Sequence, residues 1–147
     1  MSTYLPYLGT VLACAALASY FTSSGLQSKK YLSIKKPSWY PRGYAFGIAW
    51  TIIYLLYSYS WSKTINMFWM NILFWINIIL NVLWCYVFFS LGDYTLALGV
   101  LIALVGTLVL QIVSFYKYDN IATVLLIPYL LWCCFASYLN YTIVMIN

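Results

Sequence analysis

Long apolar stretches, separated by short polar breaks, constrain this chain more than any other feature of its sequence. Hydrophobic residues make up 65% of the 147 residues, and charged residues make up only 6%. In a typical soluble domain the charged fraction is about 25%, so this chain has too little polar surface to cover a water-soluble globule. A membrane-spanning helix needs about 20 apolar residues. The sequence therefore predicts an all-α integral membrane protein.

The polar breaks divide the chain into apolar spans that belong to one domain, residues 1–147. We expect spans at about residues 4–21, 45–61, 67–91, 94–115 and 121–146. The loop at residues 22–44 begins with the helix breakers Ser23, Ser24 and Gly25 and is stiffened later by prolines. The predicted fold class is thus a five-transmembrane-helix bundle with a long loop between helices 1 and 2.

Small residues in two of the spans predict close helix contacts, because they let helix backbones approach each other in lipid. The first span is rich in glycine, alanine and serine, so we expect it to be a close-packed inner helix. The fourth span carries a strip of Gly99, Ala103 and Gly106. This strip predicts a contact either within the chain or between the two copies of a homodimer.

Most of the positive charge lies in the first loop. Its basic residues are Lys29, Lys30, Lys35, Lys36 and Arg42, from a total of seven in the chain. Basic loops favour the cytoplasmic side of a membrane, so five alternating spans place the N-terminus outside and the C-terminus in the cytoplasm. Binding of the loop to lipid headgroups is an alternative role for these charges.

Several classes of chemistry are disfavoured by what the chain lacks. It has no histidine, and its four cysteines lie in apolar segments without metal-ligand spacing. Its two acids, Asp93 and Asp119, lie in turns, which argues against paired-carboxylate catalysis and against a proton-driven exporter. We expect no metal and no required cofactor, membrane lipids as surroundings, and no nucleic-acid partner.

Three spans each carry aromatic and polar residues on one helical face, because residues three or four positions apart share a face. The stripes are Trp50, Tyr54, Tyr57 and Trp61; Phe74, Asn77, Asn81, Trp84 and Phe88; and Tyr129, Trp132, Ala136 and Asn140. An unpaired amide in hydrocarbon costs several kcal/mol, so Asn77 and Asn81 should face the bundle interior and find partners. Aromatic stripes often serve packing alone. The alternative is that the stripe entering the membrane from the basic loop forms one wall of a ligand pocket, with the loop as its lid and the other spans as the remaining walls.

Short motifs in the loop and in these spans resemble the signature of the translocator protein family, the tryptophan-rich sensory proteins (TspO/MBR). The motifs are Lys36-Pro37-Ser38-Trp39-Tyr40-Pro41, Phe46-Gly47-Ile48-Ala49-Trp50 with Tyr54, Leu80-Asn81 with Trp84 and Phe88-Phe89, and Pro128-Tyr129-Leu130-Leu131-Trp132 with Leu139-Asn140-Tyr141. They occur in the family's order over nearly the whole chain, and the set is far more specific than any one motif.

The resemblance implies a membrane receptor or carrier that binds tetrapyrroles such as protoporphyrin IX, and other hydrophobic ligands, in a pocket between the helices. Its role would lie in porphyrin homeostasis, transport or stress response. Carried over motif by motif, the ligand-binding residues would be Trp39, Trp50, Tyr54, Asn81, Trp84, Trp132, Ala136 and Asn140. Lys35, Lys36 and Arg42 are placed to meet the carboxylates of a porphyrin.

Other readings stay open. Some bacterial relatives are reported to degrade porphyrin in light, and Trp50 and Trp132 would carry that reaction here. A small channel or a structural partner in a membrane complex is a third class. For single residues, Asn140 bonding a neighbouring helix and Trp39 anchoring the loop at the membrane interface are structural alternatives. The membrane would be the outer mitochondrial or another organelle membrane, or a bacterial or viral-host envelope membrane.

The chain also departs from the family pattern in three places. Cys85 and Tyr86 stand where a Pro-Pro pair is usual, which predicts a changed shape of the third helix. Leu96 stands where many relatives have a tryptophan, which predicts a thinner aromatic cage. No Lys or Arg follows Tyr141, so we expect weak or no cholesterol recognition through that motif.

Overall fold

The computed structural model describes residues 3–147, and in this range the chain is helical with no β-strand. The helices are α1 (Tyr4–Leu26), α2 (Lys29–Ser33), α3 (Gly43–Ser62), α4 (Phe68–Cys85), a π-helical segment (Tyr86–Leu91), α5 (Tyr94–Phe115) and α6 (Asn120–Ile146). The predicted all-α fold is confirmed.

Four helical stretches of the described chain are long and apolar enough to cross a membrane. They are Tyr4–Leu26, Phe68–Leu91, Tyr94–Phe115 and Asn120–Ile146. Helix α4 and the π-helical segment together form one of them. The helix at the predicted second span, α3, is 20 residues long and is not among these four.

Helix α3 runs antiparallel to α1 along the bundle. The Tyr4 hydroxyl, at the start of α1, donates a hydrogen bond to the Leu55 carbonyl in the second half of α3 at 3.3 Å. The Ser60 hydroxyl donates to the Ala122 carbonyl at the start of α6 at 2.9 Å. A helix of 20 residues is about 30 Å long, so α3 is as long as a bilayer core is thick.

Both acids of the chain cap helices. The Asp93 carboxylate accepts a hydrogen bond from the Leu96 amide at 2.9 Å at the start of α5, and Asp119 accepts one from the Ala122 amide at 2.8 Å at the start of α6. The first amides of a helix have no partner within it, so a carboxylate there stabilises the helix start. Gly92, just before the first cap, turns the chain with a φ of 62°, a conformation that glycine adopts without steric cost.

The first loop is shorter than the sequence suggested. Helix α1 continues to Leu26, so the expected loop boundary at residue 22 is wrong, and residues 27–42 contain the short helix α2. Gly25 does not break the helix. It lets α1 approach the backbone of Phe89, since a Cβ at position 25 would collide with the Phe89 carbonyl.

Helix α1 lies at the edge of the bundle, so the prediction that it is a close-packed inner helix is wrong. Only Val11, Ala18 and Gly25 are buried along it. The strip on α5 also faces outward: a Cβ at Gly99 or Gly106 would meet nothing within 4 Å. The strip makes no contact within the chain, because the large aliphatic residues of α5 face the core instead.

The buried amide Asn77 confirms the expectation that amides in the third span face inward. Asn77 is fully buried and donates to the Thr107 hydroxyl at 2.7 Å and to the Leu104 carbonyl at 3.4 Å. These bonds join α4 to α5 and remove part of the cost of burying an amide.

Replacing Gly25 by alanine tests the contact between α1 and the π-helical segment. We expect Gly25→Ala to lower the free energy of unfolding in detergent by about 1–3 kcal/mol, because overpacking forces the backbones apart. Thermal unfolding followed by circular dichroism measures this. The control is Gly9→Ala on the same helix, where the new Cβ meets nothing within 4 Å and stability should stay unchanged or rise slightly. Equal stability of the two variants would contradict the contact.

Candidate ligand cavity

A cavity of about 490 Å³ lies between α1, α3 and the end of α4, next to the first loop. Its volume is within the range of about 300–1,000 Å³ typical of small-molecule sites. Helix α1 contributes Leu12, Ala15, Ala18, Ser19, Thr22, Ser23 and Leu26; the loop Tyr31 and Tyr40; α3 Gly43, Phe46, Gly47, Trp50, Thr51 and Tyr54; and α4 with the π-helical segment Trp84, Cys85 and Phe89.

Three of the predicted ligand-binding residues, Trp50, Tyr54 and Trp84, line this cavity. The rings of Trp50 and Tyr54, one helical turn apart on α3, stack with centroids 5.5 Å apart and an interplanar angle of 24°. The Trp84 ring lies 6.4 Å from Trp50 at a tilt of 40°. These side chains form a continuous aromatic wall, to which a planar apolar ligand can bind by ring stacking.

The predicted amide Asn81 lies behind this wall. Its side-chain oxygen accepts a hydrogen bond from the Tyr54 hydroxyl at 2.9 Å, and its side-chain nitrogen donates to the Tyr129 hydroxyl at 3.4 Å. Asn81 is fully buried and does not border the cavity. It positions Tyr54, so its influence on a ligand would be indirect.

A second amide, Asn140 on α6, holds Trp84 in the same way. Its side-chain oxygen accepts a hydrogen bond from Trp84 Nε1 at 3.3 Å, and its nitrogen donates to the Tyr94 carbonyl at 2.8 Å. Asn140 and Ala136 border a separate void of about 10 Å³, too small for more than about one water molecule. The structure therefore places both residues behind Trp84 and outside the main cavity.

Trp132 also lies behind the aromatic wall. Its ring meets Trp50 edge-on at 6.4 Å and 85°, and meets Phe46 edge-on at 5.7 Å and 79°. Its indole nitrogen is buried and has no hydrogen-bond partner among residues 3–147. The aromatic stripe of the last helix thus supports Trp50 from behind.

The structure places Trp39 outside the cavity. Its ring stacks on Tyr138 of α6 with centroids 5.3 Å apart and an interplanar angle of 12°, and 42% of the residue is exposed. This position agrees with the alternative that Trp39 anchors the loop. The side-chain amide of Asn147 holds the same loop to the end of α6, since it accepts from the Lys35 amide at 2.8 Å and donates to the Lys35 carbonyl at 2.9 Å.

Two loop tyrosines that we did not predict as site residues, Tyr31 and Tyr40, close one end of the cavity. Their hydroxyl oxygens are 2.6 Å apart and share a hydrogen bond, and the Tyr31 ring packs 5.7 Å from Phe89. Burial raises the pKa of Tyr40, and it raises the pKa of Tyr31 against an opposing effect of their hydrogen bond. Both hydroxyls are therefore protonated at neutral pH. Tyr40 lies within a family motif, whereas nothing in the sequence singled out Tyr31.

The departures from the family pattern have different outcomes. At Cys85 and Tyr86 the helix changes from α to π, a feature often found at functional sites, and the π-helical segment brings Phe89 to the cavity. Leu96 faces outward with 52% exposure. The prediction that Leu96 thins the aromatic cage is therefore wrong, because this position on α5 does not point toward the cavity.

Nothing in the described part of the chain suggests a metal centre, since no three His, Cys, Asp or Glu side chains of residues 3–147 are grouped to hold an ion. The chemistry available in the cavity is aromatic stacking, apolar contact and hydrogen bonding from tyrosine, serine and threonine hydroxyls.

A helical membrane protein with a tryptophan- and tyrosine-lined cavity closed by a loop is the class that this fold and site define. The chain belongs to the TspO/MBR family, whose sequence profile matches residues 7–146. It is 33% identical to the tryptophan-rich protein TspO of Chlorobaculum tepidum over 95% of this chain and 92% of the relative. It is 36% identical to the TspO of Archaeoglobus fulgidus over 93% of this chain and 92% of that relative. It is 27% identical to the human translocator protein over 95% of this chain and 89% of that relative.

Removing the Tyr54 hydroxyl tests the hydrogen bond that positions the aromatic wall. We expect Tyr54→Phe to reduce the free energy of unfolding by about 1–3 kcal/mol, because it leaves the buried Asn81 oxygen without a partner. Chemical or thermal unfolding in detergent measures the loss. The control is Tyr59→Phe, since the Tyr59 side chain is on the same helix and 36% exposed. A loss of the same size in both variants would contradict a specific role of the Tyr54–Asn81 bond.

Proposed function

We propose that this protein is a membrane receptor or carrier for tetrapyrroles such as protoporphyrin IX and other hydrophobic ligands. The observation that carries the proposal is the aromatic wall of Trp50, Tyr54 and Trp84 on a cavity of about 490 Å³. Membership of the TspO/MBR family supports it. Relatives named tryptophan-rich sensory protein and translocator protein suggest sensing or transport, so the role would be porphyrin homeostasis, transport or stress response.

The two sides of the cavity suit a planar macrocycle for different reasons. The indole and phenol rings on one side offer a flat face for stacking. Opposite them, α1 contributes the small side chains Ala15, Ala18 and Ser19, which leave room for the ring's thickness. In this proposal the protein requires no cofactor, and the porphyrin is its ligand.

Binding of protoporphyrin IX to the detergent-purified protein, followed by quenching of tryptophan fluorescence, tests this function. We expect saturable binding at about micromolar concentration or tighter, roughly −8 kcal/mol. Trp50→Ala should weaken binding by about tenfold or more, because a stacking face is lost from the wall. Asn140→Ala should weaken it less, since this amide acts only by positioning Trp84.

The matched control is Trp69→Ala, because Trp69 is 74% exposed at the start of α4 and does not line the cavity. Its affinity should equal that of the wild type. Absence of saturable binding, or equal loss in the Trp50 and Trp69 variants, would contradict the proposal.

A porphyrin-degrading activity in light is a second candidate, favoured by the edge-on contact of Trp50 with Trp132 at 6.4 Å. A bound porphyrin would contact Trp50, and Trp132 would lie next to Trp50 as a second indole. In this case illumination in air destroys bound protoporphyrin IX, and Trp50→Phe and Trp132→Phe each slow the loss. Binding of protoporphyrin IX without its loss in light would rule out this activity, and only the receptor function would stand.

We also propose that α3 is a fifth crossing, with the basic loop in the cytoplasm, the N-terminus outside and the C-terminus inside. The antiparallel course of α3 along α1 supports this. So does the contact of Asn147 with Lys35, which brings the end of α6 to the basic loop.

Single cysteines at the two ends of α3 test this topology in a variant without the native cysteines. We expect a membrane-impermeant maleimide to label Lys63→Cys in intact cells and Ser38→Cys only after lysis. Labelling of both positions from the same side would show that α3 does not cross the membrane.

We propose that the outward strip on α5 is where a second copy packs, since its exposed glycines let helix backbones approach closely. Cysteine cross-linking at Ala103 in membranes should trap a dimer, whereas cross-linking at the exposed Val113 of the same helix should not.

A further inference from the structure

A lysine lies at the loop end of the cavity without an acidic partner. The Lys36 ammonium donates a hydrogen bond to the Tyr31 carbonyl at 3.0 Å and lies 4.3 Å from the centre of the Tyr31 ring. The only acids of the chain, Asp93 and Asp119, cap helices. An ammonium group has three donors, and the described chain provides an acceptor for one of them.

The tyrosine pair beside Lys36 has an unused donor as well. Tyr31 and Tyr40 both line the cavity, and their hydroxyls bond only to each other within the described residues. In such a pair one hydroxyl donates and the other accepts, so the accepting hydroxyl keeps its own proton for a further partner. The Lys36 ammonium lies 4.3 Å from the centre of the Tyr31 ring and 6.0 Å from the centre of the Tyr40 ring, so the charge is close to both tyrosines of the pair.

The lysine charge thus lies next to Tyr31, which with Tyr40 closes the loop end of the cavity. A carboxylate accepts hydrogen bonds only, and charge-assisted bonds from ammonium and hydroxyl groups are about twice as strong as neutral ones. A neutral polar group would leave the lysine charge uncompensated. The position therefore favours an anionic oxygen group over a neutral one.

We propose that Lys36, Tyr31 and Tyr40 form a carboxylate-binding site at the loop end of the cavity, so that the protein selects amphipathic anions, with an apolar body and a carboxylate, over their neutral analogues. This inference rests on the proposed function and specifies the chemical class of its ligand. The body of the ligand lies against Trp50 and Tyr54, and its carboxylate is bound under the loop.

Comparing protoporphyrin IX with its dimethyl ester tests the inference, because the ester keeps the same ring and replaces each carboxylate by a neutral methyl ester. Binding of each is measured by tryptophan quenching in an uncharged detergent, for the wild type, Lys36→Met and Tyr40→Phe. We expect the wild type to bind the acid about tenfold more tightly than the ester. Lys36→Met should remove this difference in affinity between acid and ester, and Tyr40→Phe should reduce it.

The control is Lys35→Met, which removes the same charge from the neighbouring position. Lys35 is exposed, and it contacts Asn147 through its backbone. The Lys35→Met variant should keep the preference for the acid over the ester. Equal weakening by the Lys35 and Lys36 variants would overturn the inference in favour of a general effect of the basic loop.

Two further outcomes separate this inference from the proposed function. If the wild type binds acid and ester equally, tetrapyrrole binding stands and the carboxylate site is overturned. If it binds neither, the proposed function fails and the carboxylate site fails with it.

Discussion

The hydrogen bonds of Asn81 are the interaction on which the cavity depends. A buried amide in a membrane bundle has no water to bond, so its partners must come from neighbouring helices. Asn81 of α4 is bonded to Tyr54 of α3 and Tyr129 of α6, and one side chain therefore links three helices. The same bonds fix the orientation of Tyr54, which in turn stacks on Trp50. Helix association and the shape of the ligand wall thus have a common cause.

The cavity has one supported wall and one thin wall. Behind the aromatic side chains lies a second layer, in which Asn140 bonds Trp84 and Trp132 packs on Trp50. The opposite wall is α1, a peripheral helix with few buried residues that is held at its end by the contact of Gly25 with Phe89. This arrangement gives a ligand a preorganised stacking surface on one side. Ligands of different thickness would then be accommodated by shifts of α1 and the loop.

The sequence predicted the aromatic wall better than the rest of the cavity. Helical periodicity puts Trp50 and Tyr54 on one face, and the cost of a buried amide predicts that Asn81 faces inward with partners. Periodicity does not determine which helix packs opposite that face, so the contribution of α1 and the second-layer position of Trp132 were not foreseen. The outward direction of Leu96 and the π-helical turn after Cys85 depend on tertiary packing. Tyr31 was missed because only the folded loop brings it beside Tyr40.

An experimental structure of the protein with bound protoporphyrin IX tests the central claim most directly. The ring is expected against Trp50 and Tyr54, between α1 and α3, with a carboxylate near Lys36 and the Tyr31–Tyr40 pair. Porphyrin bound instead on the outer surface, such as the apolar groove near Ile112 and Ile127 between α5 and α6, would contradict the assignment of this cavity as the ligand site.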